Sequence, residues 1–250
     1  MKYFSTFLVF GLLFFFNHRD INAQQKGTVT DYDGNVYQTI VIGEQEWMAE
    51  NLRTTHYADG TPLVNGNGVG SIAADYTTKY YFWFMNDSAA NAATYGALYT
   101  WAAAMNGAAS SDANPSEVQG VCPCGWHLPS DEEWKQLEME LGMSQSDADS
   151  TGWRGTNEGS KLSGNANLWN DGPLENNPEF GYSGFLAIPG GYRDLYGAYD
   201  HLGNFARFWS ATEENSSYAW YRSLFYHGST VYRTNYNKDY GYSVRCVKNK

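Results

Sequence analysis

Over most of this chain hydrophobic and polar positions alternate singly or in short runs, and only two segments carry helical spacing. Residues 36–42, Val-Tyr-Gln-Thr-Ile-Val-Ile, are β-branched and alternating enough to predict a strand. Val29 leads toward it through Asp31-Tyr32-Asp33-Gly34-Asn35, where the Asp-Gly pair supplies a hairpin turn. Gly43 to Glu46 turns the chain again, and Trp47-Met48 returns it as a third extended piece. The same reading predicts a short aromatic strand over 79–85 and strand-like pieces over 180–194, 203–213 and 217–226. A terminal strand is predicted over 240–249, with Tyr242, Val244 and Cys246 alternating against Ser243, Arg245 and Val247.

Of the two helical segments, residues 95–105 place Leu98, Trp101 and Met105 on one face by spacings of three and four, which predicts a short core-facing helix. The other is better signalled. Ser130 with Glu133 three residues on forms a capping box, and Asp131, Glu132 and Glu133 crowd the positive helix start. Trp134, Leu137 and Leu141 share a face, and Gly142 is placed to end the helix. The carboxylates are read as helix-start residues that do no chemistry. Residues 65–78 and 151–177 show no period and read as loops, the second a long irregular region fixed by its aromatic side chains.

Composition sharpens this picture. Twenty Tyr, 9 Trp and 26 Gly among 250 residues, with only 17% charged, describe a loop-rich, aromatic-rich globule rather than one built on long helices. At the start, Lys2, an apolar run from Phe4 to Phe16 and Ile21-x-Ala23 have the layout of a secretory signal peptide. The run is too short to cross a bilayer core of about 30 Å. Residues 1–23 are therefore expected to be removed, leaving 24–250 as a single domain that is secreted or held at the cell surface. No cysteine follows the apolar run, so a lipid anchor is not expected, and no later apolar stretch is long enough for a membrane span. The net charge is −11 and no three basic residues are consecutive, which disfavours nucleic acid as a partner.

Export favours disulfide pairing, and there are three cysteines. Cys122 and Cys124 are too close for ordinary geometry, so Cys246 belongs to any comfortable pair. A Cys122–Cys246 bond would close a loop of roughly 120 residues, worth roughly 4 to 5 kcal/mol by loop entropy. Cys124 would then be left over, read as a small buried side chain rather than a reactive thiol or half of an alternative pair. Only His127 lies near as a further soft ligand, so no metal site is expected.

These stretches together resemble a known family. Val29–Gly60, Tyr95–Met105, Val118–Trp134, Leu186–Asp194, Phe208–Glu213 and Gly241–Asn249 match the pattern of the Fibrobacter succinogenes major paralogous domain family, secreted or surface proteins of Bacteroidetes and Fibrobacteres. The family usually has Cys-Pro-Ser-Gly-Trp-His where this chain has Cys-Pro-Cys-Gly-Trp-His. The resemblance therefore identifies Cys122 as the family's cysteine and Cys124 as a departure. More distantly, Gly125-Trp-His-Leu-Pro-Ser130 before an acidic helix is similar to the helix start of formylglycine-generating proteins. What this implies is an α+β, C-type lectin-like domain with short twisted antiparallel strands, two main helices and long aromatic-rich loops, its last strand bonded through Cys246 to Cys122.

The functional expectation is a non-catalytic binding module, displayed outside the cell, for a glycan or a surface protein. Trp153, Trp169, Asn170 and Asp171, together with Tyr192, Arg193 and Asp194, are the candidate ligand-binding residues, because aromatic faces and amide or carboxylate groups suit sugar rings and peptides. Leu168-Trp169-Asn170-Asp171 is similar to the calcium-binding Trp-Asn-Asp of sugar-binding C-type lectins. The partner motif should precede it, whereas Glu175-Asn176-Asn177-Pro178 follows, so calcium is a secondary expectation and no other cofactor is expected. An alternative is a secreted glycoside hydrolase, which needs two carboxylates at a set separation. Glu158, Asp171, Glu175 and Asp194 are of the right type, but nothing selects two of them, and His56, His127, His201 and His227 sit in no catalytic signature. A structural subunit of a surface assembly, pairing through the Tyr-rich segment 218–242, is the third reading.

Overall fold

The computed structural model describes residues 26–250, and the expected signal peptide over 1–23 lies outside them. Strands β1 (Lys26–Thr30) and β2 (Val36–Ile42) form the expected hairpin, with Val29 opposite Tyr37. Asp31 holds its turn by accepting from the Asn35 N–H and the Tyr37 hydroxyl. β3 (Gln45–Met48) follows as the third extended piece. Then come β4 (Val64–Asn65), β5 (Tyr80–Phe82), α1 (Ser88–Tyr95), β6 (Leu98–Tyr99) and α2 (Trp101–Met105). β7 (Trp126–His127), α3 (Asp131–Glu140), α4 (Gln145–Asp149), β8 (Gly152–Arg154) and α5 (Glu158–Leu162) make up the middle of the chain. β9 (Gly190–Arg193), β10 (Tyr199–Leu202), β11 (Phe205–Glu213), β12 (Tyr218–Phe225), β13 (Gly228–Asn237) and β14 (Val247–Lys248) complete an α+β fold. No described helix is long and apolar enough to cross a membrane.

The strands form a five-stranded sheet, β1-β2-β3-β14-β7, a four-stranded sheet, β11-β12-β13-β8, and two smaller ones. Because side chains alternate across a strand, β11 sends Trp209 to one apolar cluster and Phe208 to another. The first, with Tyr221, Tyr242, Tyr99 and Trp101, also holds Cys122 and Cys246. Phe208, Leu224 and Val231 join Trp47, Trp134, Leu137 and Phe185 on the other face.

The helix α3 starts as expected, with both arms of the Ser130–Glu133 capping box formed. Its acidic residues do more than start it. Asp131 is ion-paired with Arg222 and Arg233, and Glu138 with Arg154 and Arg222. This buried network bolts α3 to β12, β13 and β8.

Several expectations change. Instead of two main helices there are five short ones among the described residues, of which α3 is the longest at 10 residues. The segment 95–105 is not one helix, because Gly96 at φ +73 breaks the chain and Thr100 caps a fresh start by accepting from the Ala103 N–H. α1 buries no residue and so carries no apolar stripe to read. Its neighbour β5 stops at Phe82, since Phe84–Asn86 is a 3₁₀ turn with Met85 at φ 54. The irregular region 151–177 contributes β8 and α5. At the end of the chain only Val247–Lys248 forms a strand, and the alternating residues before it are buried on both sides. Arg245 is fully buried there, donating to Asn51 Oδ1 and to the carbonyls of Met48, Phe185 and Leu186.

The Cys122–Cys246 disulfide is present, with Cα atoms 5.9 Å apart. Cys124 is exposed rather than buried. It sits at the tip of a turn closed by the Trp126 N–H on the Pro123 carbonyl, with Gly125 at φ +80 beside it, which points the residue away from the core.

Candidate functional site

Register in the four-stranded sheet builds a row of side chains. Arg207 on β11 lies opposite Ser223 on β12, Ser223 opposite Tyr232 on β13, and Tyr232 opposite Trp153 on β8. Directly opposed residues share a face, and strands lie about 4.8 Å apart, so the row runs for roughly 14 Å. One step along the strands, Phe205 stacks on Phe225 at 4.4 Å. Trp153 lies 4.8 Å from Tyr232 and 6.1 Å from Phe225, ring centre to ring centre.

The row continues beyond the sheet. His201 on β10 lies 5.1 Å from Phe205 and 5.5 Å from Tyr192 on β9. Tyr192 in turn lies 5.9 Å from Tyr240, which meets Tyr236 at 4.8 Å. Further up the same face Tyr242 covers Trp209 at 4.3 Å. The lower part stays open: Trp153 is 47% and Tyr236 41% exposed, and Phe205, Arg207, Phe225, Tyr232, Tyr192 and Tyr240 are half-buried. A hollow of about 210 Å³ lined by Trp153, Phe225, His227, Gly228 and Thr230 adjoins the platform.

At the platform's centre, the guanidinium carbon of Arg207 lies 4.1 Å from the Tyr192 ring and 4.8 Å from the Phe205 ring. Burial works against its charge, but the phenol oxygens of Tyr242, Tyr221 and Tyr192 outweigh that and hold its pKa up. Burial also pushes the Tyr221 hydroxyl up to about 12, which keeps it a neutral donor. Arg207 is thus a fixed cation in a ring of neutral aromatic groups.

The sequence candidates divide. Trp153 and Tyr192 both lie on the platform, Trp153 beside Tyr232 and Phe225 and Tyr192 beside Arg207 and His201. Trp169 is buried, its indole N–H donating to the Gly164 carbonyl. Asn170 and Asp171 are exposed in the following loop, bonded to Asn204 and Asn176. Arg193 is fully buried, lying 4.2 Å from the Phe82 ring and donating to the carbonyls of Val69, Gly70 and Asp194, so it clamps a loop. Asp194 accepts from the N–H groups of Tyr196 and Ala198 in its own turn. Glu158 accepts from the N–H groups of Thr156 and Asn157. Of the residues that sequence reading missed, Phe205, Arg207 and Trp209 were legible as every second position of one strand, but nothing local says which face stays open.

Asp112, Asp131 and Glu132 bring carboxylate oxygens within 4.8 Å of one another. Arg222 and Arg233 hold Asp131 and Lys135 holds Glu132, so the negative charge is already compensated. At the start of α3, His127 Nε2 lies 2.6 Å from Glu133 Oε1 and its Nδ1 2.7 Å from Asn249 Oδ1. Burial opposes the imidazolium, but Glu133 outweighs it and raises the His127 pKa. A raised folded-state pKa gives stability that is complete below the unfolded value of about 6.5 and lost as pH rises through the folded one. Denaturant midpoints of the native protein should therefore fall relative to those of His127→Gln between pH 6 and 9. A constant difference between the two across that range would exclude the linkage.

A sequence model described as the Fibrobacter succinogenes major domain matches residues 40–248, from within β2 to the end of β14. No curated protein and no solved structure matches the chain.

Proposed function

The chain belongs to the Fibrobacter succinogenes major domain family, and on that premise we propose that it is an exported, non-catalytic binding module whose aromatic sheet face takes carbohydrate chains. The observation that carries this reading is the open row from Trp153 through Tyr232 to Arg207. Monomeric proteins seldom leave clustered aromatic surface exposed without a partner. Sugar rings offer C–H faces that stack on aromatic rings, and the half-buried tyrosines add hydroxyl donors along the same line. The buried disulfide supports export, since such bonds persist in oxidising compartments. The same bond, joining the residue just before β14 to the turn that leads into β7, supports reading the α+β fold as C-type lectin-like.

Oxidised protein probed on an array of plant and mucin polysaccharides, with and without calcium, should bind one class of glycan without needing calcium. Trp153→Ala should weaken that binding at least about tenfold, the equivalent of about 1.4 kcal/mol of lost stacking. Binding that survives Trp153→Ala but disappears in Asp171→Ala would move the site to the 169–171 loop. Turnover of a bound polysaccharide would overturn the non-catalytic reading.

A further inference from the structure

We infer that the centre of the platform is a subsite for the carboxylate of a uronic acid unit in an acidic polysaccharide, received by Arg207 beside Ser223. This rests on the glycan-binding reading and names the class of glycan. The argument begins with how the chain treats its arginines. Among the described residues, Arg53, Arg154, Arg222 and Arg233 each pair with a carboxylate, and Arg193 and Arg245 donate to two or more backbone carbonyls. Arg207 alone has neither. Its one hydrogen bond is a 3.4 Å contact from Nη1 to the Tyr242 hydroxyl, and its Nε is buried without an acceptor.

The unused edge is the chemically informative one. A guanidinium with Nη1 engaged still offers Nε and Nη2 as a parallel pair of donors, the fork that matches the two oxygens of a carboxylate. The rings of Tyr192 and Phe205 lie close to its carbon, which fixes the group in place. Opposite Arg207, Ser223 is 2% exposed and its Oγ has no partner. A buried donor left unmade costs stability unless something fills it. Here two such groups belong to directly opposed residues on the face that carries the aromatic row.

The surrounding acids leave this edge free. Asp194 is committed to its own turn, and Asp200 is exposed on β10. With the whole chain at −11, long-range attraction does not bring an anion here. Selection of a carboxylate falls to the local fork. A sugar stacked on Trp153 and Tyr232 would set its neighbour along the row toward Arg207.

The test titrates purified oxidised protein with galacturonate, mannuronate and glucuronate-containing oligosaccharides and with the carboxyl-reduced, neutral form of each. A sulfated, carboxyl-free galactan oligosaccharide completes the set. At least one uronate is expected to bind about tenfold or more tightly than its reduced form and than the sulfated one. Arg207→Gln should bring the acid down to the affinity of the reduced form, leaving the latter unchanged, and Arg207→Lys, which keeps charge but loses the fork, should lose most of the preference. Trp153→Ala should weaken both forms together. Equal binding of acidic and reduced forms to the native protein overturns the subsite while leaving the aromatic platform standing, and needs no variant to fold. Equal weakening of both forms by Arg207→Gln, or a preference for the sulfated ligand, also overturns it. Failure of every acidic and neutral glycan to bind sinks the platform reading, and the subsite with it.

Discussion

Asp131→Asn should lower the stability of the folded protein by about 3 to 5 kcal/mol, the cost of breaking a buried ion pair from one side. Asp131 is 2% exposed and its carboxylate receives Arg222 at 2.5 Å and Arg233 at 2.6 Å. An amide in its place keeps the shape of the site, leaves Arg233 without a counter-charge and leaves Arg222 with Glu138 alone. Glu138→Gln should cost a similar amount, because Glu138 is fully buried between Arg154 at 2.7 Å and Arg222 at 2.8 Å. Since Arg222 keeps one carboxylate in either single variant and none in the double, the double variant should lose more than the two losses added together. Denaturant unfolding of the four proteins measures this, and a loss below about 1 kcal/mol for Asp131→Asn would show the network to be dispensable.

The same carboxylate sets an acid limit. Burial favours its neutral form, but Arg222 and Arg233 outweigh burial and hold its pKa far below the ordinary carboxylate range. A depressed folded-state pKa gives stability that is complete above the unfolded value of about 3.9 and lost as pH falls below it. The native protein should lose stability below about pH 4 more steeply than Asp131→Asn does, which follows by thermal melts through that range.

Opening the disulfide is the second large effect. Cys122 and Cys246 are 124 residues apart, and freeing a loop of that length restores conformational entropy worth about 5 kcal/mol to the unfolded chain. That is a large fraction of the 5 to 15 kcal/mol by which domains are typically stable. Cys246→Ser should therefore populate unfolded protein under conditions in which the native protein remains folded. The change also removes a buried side chain from the cluster of Trp101, Tyr99 and Tyr242. Alkylation of the native protein should mark Cys124 alone, and all three cysteines only after denaturation with reductant. A second reactive thiol in the native state would contradict the bond.

How much of this was legible depends on the reach of each interaction. The β1–β2 hairpin and the start of α3 were readable because the residues that decide them are neighbours: Asp31 with Asn35, and Ser130 with Glu133. The split of 95–105 into β6 and α2 was not, because Leu98, Trp101 and Met105 keep helical spacing whether or not Thr100 interrupts the backbone between them. β8 is only three residues long and is a strand because β13 pairs with it. Ser243 and Arg245 read as the polar face of a half-exposed strand. They are buried because Asn51 Nδ2 donates to Ser243 Oγ while Asn51 Oδ1 and nearby carbonyls accept from Arg245, partners that no local pattern announces.

What the sequence by itself determined was the set of local choices: turns, caps, the period of the strands, the pairing chemistry of its cysteines through a family resemblance, and the abundance of aromatic side chains. Which carboxylates became buried ion pairs, which tryptophan faced solvent and which arginine kept an unpartnered buried Nε on the aromatic face were decided only by the tertiary structure. The physical reason is that burial and pairing depend on strand register between segments far apart in the chain, so Trp153 and Tyr232 become neighbours, and Trp169 becomes core, only once the four-stranded sheet has closed.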